Sequence, residues 1–248
     1  MVQKDPSRAN IICNEIIVEL EKQKNPKNIA GMARFGISQK GTLGIPIPVL
    51  RKMAKEIGKN HQLALELWKT GIHEARILAG FIDDPECVTE GQMEDWTKDL
   101  DSWDVCDQVC GSSFEKTGEL AWKKIGDWSS REEEFVKRTS FALIACLAWH
   151  DKKATDGQFE AIMPLIIREA IDERNFVRKA VNWALRNIGK RNIKLNKIAI
   201  ETAKKIQKTH PNSKSARWIA ADAIRELESE AVQKRLVDKC KKTEARKN

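Results

Sequence analysis

The chain has 248 residues, of which 41% are apolar and 32% charged, and a formal net charge of +8. It holds enough apolar material for one sizeable core or two small ones, and no run approaches the ~18 uncharged apolar residues of a membrane span. The opening MVQKDPSRANIICNEIIVELEKQ has acids inside its apolar part and lacks the three-part form of a secretory signal.

Helical periodicity runs along almost the whole chain, and strand alternation is nearly absent. Amphipathic segments fall at 8–23, 27–35, 47–57, 61–70, 73–82, 89–99, 102–114, 116–125, 131–150, 157–171, 175–189, 193–209, 213–228 and 230–241. Gly58, Gly71, Gly126 and Gly189 stand where C-caps belong, Asn175 and Ser213 where N-caps belong, and Pro46 and Pro85 in connections. No Gly/Ser/Pro-rich linker divides the chain. The expectation is therefore a single helical-repeat domain over 1–248, with a flexible basic tail from about 240.

A faint internal repeat sets the arrangement. VKRTSFALIA at 136–145 aligns with VRKAVNWALR at 177–186, an offset of 41 residues, and SARWIAADAI follows 38 further on. Each copy brings a cation (Arg138, Lys179 or Arg217) into an alanine-rich helix, and EARILAGFI at 74–82 does the same with Arg76. A period near 40 with two helices per unit is that of HEAT-like helical solenoids. The expected fold is all-α, a curved solenoid of antiparallel helical pairs with a concave basic groove. Residues 174–217 hold thirteen Lys/Arg and one acid, so this segment alone carries +12 and the rest of the chain −4. So one-sided a charge points to a polyanion, with nucleic acid as the first candidate.

Three stretches have the residue types for chemistry. In RKAVNWALRNIGKRN (178–192), Trp183 lies off the apolar face of its helix, in a ridge with Lys179, Arg186 and Lys190. Either it packs on an adjacent helix pair while the cations are solvated, or the cations hold phosphates and the indole meets a sugar or base. Arg178, Arg191 and Lys194 lie nearby on the same segment. In DSWDVCDQVCG (101–111), Trp103 and Asp107 are i and i+4 on one face, while Asp104 sits off that face and can serve the helix N-terminus. They read as a core indole with a solvated acid, or as an aromatic plate beside a carboxylate. FVKRTSFALIACLAWH (135–150) is apolar on nearly all sides, with Ala142, Ala145 and Trp149 following one another along its face, and is expected to be central and largely covered; Arg138 within it is either an inter-repeat ladder residue paired with an acid of the next unit or a phosphate contact at the groove.

The four histidines form no metal-binding spacing, and GISQKGTLGIP lacks the ending of a phosphate-binding loop. Cys13, Cys87, Cys106, Cys110, Cys146 and Cys240 show no paired spacing and read as buried reduced thiols of a cytoplasmic protein.

WDVCD at 103–107, KRTSFAL at 137–143 and RKAVNWALRNIGKRN together resemble the AlkD-type DNA alkylation-repair proteins, alkylpurine-DNA glycosylases built from HEAT-like repeats. The likeness covers roughly residues 30–230. It implies Trp103 and Trp183 as aromatic site residues, Asp107 as the catalytic carboxylate and Arg138 as a DNA contact. Lys179, Arg186, Lys190, Arg191 and Arg217 complete the expected DNA-binding set. The implied reaction is monofunctional hydrolysis of the N-glycosidic bond of cationic N3- or N7-alkylated purines in duplex DNA, with no metal and no cofactor. The protein is then expected as a cytoplasmic monomer, associated with the nucleoid through DNA and not with membrane. The rival is a non-catalytic HEAT-like solenoid that binds nucleic acid or a protein partner through the same surface.

Overall fold

The computed structural model describes residues 6–244. Among these residues every regular element is helical. The chain divides into two compact units, Met1–Ala121 and Trp122–Asn248. The division falls inside a helix and no change of composition marks it.

The first unit contains α1 (Pro6–Lys22), α2 (Pro26–Ala33), α3 (Ile47–Ile57), α4 (His61–Lys69), α5 (His73–Ile82), α6 (Glu90–Lys98), α7 (Trp103–Ser112) and a short 3-10 turn, Phe114–Thr117. Helix α5 packs against α3, α4 and α7, and eight of its ten residues are buried. The indoles of Trp68 and Trp96 stack in parallel with centroids 4.1 Å apart, and the Arg76 guanidinium covers Trp68 at 5.1 Å. Glu74, only 1% exposed, accepts the backbone amides of Leu43, Gly44 and Ile45 at 2.8, 2.6 and 3.2 Å. One carboxylate thus fastens the glycine-rich connection to α5. Gly44 has φ +78, and a Cβ there would stand 2.5 Å from the Asn25 carbonyl oxygen, so only glycine fits.

The second unit begins within α8 (Glu119–Ser129) and continues through α9 (Glu134–His150), α10 (Asp156–Glu169), α11 (Asn175–Gly189), α12 (Ile193–Thr209), α13 (Lys214–Leu227) and α14 (Glu230–Glu244). Helix α11 packs on α9 on one side and α13 on the other, while α12 packs on α10, α11, α13 and α14. The result is two layers of alternating helices, the architecture of paired helical repeats. Val177, Ala180, Val181, Ala184, Leu185 and Ile188 form the predicted apolar face of α11 and are all fully buried.

The period near 40 reappears as hydrogen bonds between successive pairs. Asn187 donates to the Ala145 carbonyl at 3.0 Å, Asn182 to Asp222 at 2.7 Å, and Arg186 to Glu226. Glu173 accepts from Ser213 Oγ and from the Ser215 amide, both at 3.0 Å. These partners lie 40 or 42 residues apart.

Several local expectations change. Gly126 lies inside α8 and caps nothing. Gly189 is the last residue of α11; a Cβ there would approach the buried Leu227 methyls to 2.6 Å, so this glycine serves close packing of α11 on α13. Arg174 is the N-cap of α11, one residue before Asn175. Cys87 and Cys240 are exposed, although the other four thiols are buried. Trp149, expected to be covered with the rest of α9, is 49% exposed. Helix α14 runs on to Glu244, past the point where the sequence suggested a tail; residues 245–248 of that expected tail lie outside the described residues.

Candidate functional site

In the first unit, α7 follows Ser102 and begins at Trp103. The Ser102 hydroxyl makes no capping bond to the helix and instead donates to Asp104 at 2.5 Å. Trp103 and Asp107 share a face one turn apart, and both are partly exposed. The Trp103 indole N–H donates to the Phe35 carbonyl at 3.0 Å, which fixes the orientation of the ring. Trp103 lines a cavity of about 560 Å³ together with apolar residues such as Met32, Phe35, Ile37, Ile45 and Ile77 and with the polar Lys27, Asn28, His73, Glu74, Asp104 and Gln108. Trp103 and Asp107 thus share one helical surface, but of α7 the cavity lining comprises Trp103, Asp104 and Gln108 and does not include Asp107.

The same cavity is lined by a pair that sequence reading did not join. His73 Nε2 and Asp104 Oδ2 are 2.8 Å apart, with side chains 3% and 12% exposed. Burial opposes charge on both, but the mutual bond prevails: it raises His73 above its ordinary 6.5 and lowers Asp104 below its ordinary 3.8. Ser102 and the Val105 amide add to the lowering of Asp104. The available signal was the first-turn position of Asp104, which favours an anion; nothing in the spacing from His73 pointed to the partner.

The pair has a definite pH signature. His73 contributes fully below about its unfolded value and loses that contribution as pH rises through its raised folded value. Asp104 contributes above its unfolded value and loses that contribution as pH falls through its lowered one. The stability difference between the unsubstituted protein and His73→Gln is therefore expected to be largest in mildly acid solution and to shrink above pH 6.5. Urea titrations at several pH values check this; a gap independent of pH would contradict it.

In the second unit, Trp183 on α11 is partly exposed and Lys179 exposed, which agrees with their placement off the apolar face. The other expected cations are engaged with protein. Arg186 and Lys190 converge on Glu226, the latter at 2.7 Å, and Arg186 also lies 3.5 Å from Asp222. Arg191 donates to the carbonyls of Ala148 and Ala154 at 3.2 and 2.7 Å and lies 4.7 Å above the Phe159 ring. Arg217 is exposed. Arg138 is a correction: it is only 4% exposed, and it donates to the Phe176 carbonyl of the next pair at 2.7 Å. Its guanidinium is a rung of the repeat, as one of the two sequence readings held, and is not presented to a ligand.

A family model described as "DNA alkylation repair enzyme" matches residues 16–227. An uncharacterized protein of Listeria innocua serovar 6a, Lin0241, is 25% identical over 224 residues, which cover 88% of this chain and 96% of that protein. Among solved structures, one superposes with a TM-score of 0.70 at 19% identity, over 78% of this chain and 82% of its own. It represents a family of proteins related to the HEAT-like repeat DNA glycosylases with affinity for branched DNA structures. The fold is thus the HEAT-like repeat fold that the period near 40 predicted.

Proposed function

The chain belongs to the DNA alkylation repair enzyme family, and on that premise we propose that it hydrolyses the N-glycosidic bond of cationic N3- or N7-alkylated purines in duplex DNA. The observation that carries this reading is the surface of α7, where the Phe35 carbonyl orients the Trp103 indole and Asp107 follows one turn later.

An alkylated purine already bears positive charge, so it leaves without a strong general acid. The developing demand is on the sugar, which becomes oxocarbenium-like as the bond lengthens. The Asp107 carboxylate answers that demand electrostatically and orients the attacking water, while the Trp103 face packs against the C–H groups of the deoxyribose. In the second unit, the exposed Lys179 and Arg217 meet phosphates and Trp183 lies against the strand. The reaction calls on no metal or cofactor. Stable neutral lesions such as uracil leave poorly and fall outside the substrate range.

A second reading, a DNA-binding protein without base release, is favoured by the branched-DNA affinity of the related structure. Incubation with methylated duplex separates the two. The glycosylase is expected to release free 7-methylguanine or 3-methyladenine with multiple turnover. Salt-dependent binding without preference for alkylated sites and without base release would establish the second reading instead.

A further inference from the structure

The cavity of about 560 Å³ in the first unit plays no part in the chemistry above. It lies among α2, α3, α5 and α7, and its volume falls within the ~300–1,000 Å³ of small-molecule sites. Helix α7 gives Trp103 and Gln108 to the lining, so the recess adjoins, along one helix, the carboxylate assigned to the sugar. Its acids are held by protein partners: Glu74 by three backbone amides and Asp104 by His73 and Ser102. Met32, Ile45 and Ile77 supply apolar walls, and the Trp103 indole is fixed by its bond to the Phe35 carbonyl. Hydrogen-bonding groups stand among them. The Asn28 amide donates to the Gly44 carbonyl at 2.9 Å and has an oxygen with which to accept. The Gln108 oxygen accepts from Arg51 at 3.4 Å, and its NH2 is a donor. Apolar walls with a few polar groups suit a planar heterocycle, its faces covered and its edge hydrogen-bonded.

Gly31 keeps this space open. It stands inside α2, where glycine costs helix propensity, and a Cβ there would meet nothing within 4 Å. Close packing does not call for glycine here, as it does at Gly189. Base release delivers a planar heterocycle to this place. As the N-glycosidic bond breaks, its electron pair passes to the purine nitrogen and cancels the positive charge of the base. Water adds to the sugar carbon and gives a proton to solvent. The alkylated base is thus cationic on the strand and neutral once free. A recess with apolar walls, whose acids are already engaged, favours the neutral form over the cation. Moving the base into it grows more favourable as the bond lengthens, which is the direction catalysis requires.

We propose that this cavity binds the neutral purine base released at α7, its ring against the Trp103 indole and its edge on Asn28 and Gln108. An indole has two faces, so Trp103 can meet the sugar on one and the base on the other. The inference rests on the glycosylase reading for the source of the base and adds to it a site for the departing product.

The test titrates the full-length protein with free 3-methyladenine and 7-methylguanine, followed by ligand-observed NMR. Saturable binding is expected with a Kd of roughly 0.1–3 mM, the range for a ligand of about a dozen heavy atoms. Gly31→Phe is expected to weaken it at least about tenfold, because side chain and ligand then compete for one volume. Gly31→Ala should leave it nearly unchanged, and neither variant should melt earlier, since both residues are better helix formers than glycine. Gln108→Ala, at a partly exposed position, is expected to cost about two- to tenfold, the loss of one hydrogen bond. Absence of saturable binding would overturn the proposal, and so would binding that survives both Gly31→Phe and Gln108→Ala. Base release from methylated duplex is assayed beside it. A protein that releases the base yet does not bind it free loses the cavity site alone. One that binds free base through Gly31 and Gln108 but releases none keeps the purine site and loses the glycosylase reading.

Discussion

Asp107→Asn is expected to lower base release from methylated duplex by about a hundred- to a thousandfold, the usual effect of removing one preorganised charge-stabilising group, while leaving duplex affinity and melting temperature unchanged. Asparagine keeps the size of the side chain and one acceptor oxygen, while the charge is lost and the second oxygen becomes an amide donor. Asp107 is partly exposed on α7, a position from which a neutral isostere does not disturb the core built by Val105, Cys106, Val109 and Cys110. Single-turnover release of 7-methylguanine, measured beside equilibrium binding, separates the charge from the contact. Equal release by the two proteins would take Asp107 out of the mechanism. A loss confined to binding would make it a positioning group for DNA rather than a stabiliser of the sugar cation.

The second large effect concerns stability. Glu74→Ala is expected to destabilise the protein by about 3–5 kcal/mol, because a buried hydrogen-bonded charge is removed and its donors are stranded. Three backbone amides, those of Leu43, Gly44 and Ile45, depend on this one carboxylate. Glu74→Gln keeps a single acceptor oxygen and should fall between. Urea unfolding gives the values directly; a change below about 1 kcal/mol, the scale of an ordinary surface substitution, would mean that water or other acceptors take over those amides.

Much of this fold was legible because helical periodicity is a local signal. The buried face of α11 can be counted along the chain, and the offset of about 40 between alanine-rich helices is the offset at which Asn182 meets Asp222 and Arg186 meets Glu226. Illegible were the features that depend on which surface a long polar side chain turns toward. Arg138, Arg186 and Lys190 look like a row of available cations in one dimension, yet carboxylates and carbonyls of the following helix pair take them up. The exposure of Trp149 was hidden for a related reason: its spacing from Ala142 and Ala145 is that of a core position, and it lies at the end of α9 where cover runs out. The pairing of Trp103 with Asp107 on α7 was readable from spacing alone, whereas the His73–Asp104 bond spans 31 residues between two helices and left no periodic trace.

The rungs linking successive pairs of the second unit have a bearing on how this segment tolerates change over evolutionary time. Asn182, Arg186, Asn187 and Glu173 each depend on an atom supplied by an adjacent pair, so a pair cannot be deleted, duplicated or shifted by a residue without stranding polar groups on both of its neighbours. Sequence drift can therefore accumulate on the exposed faces, while insertions are confined to the short connections between helices.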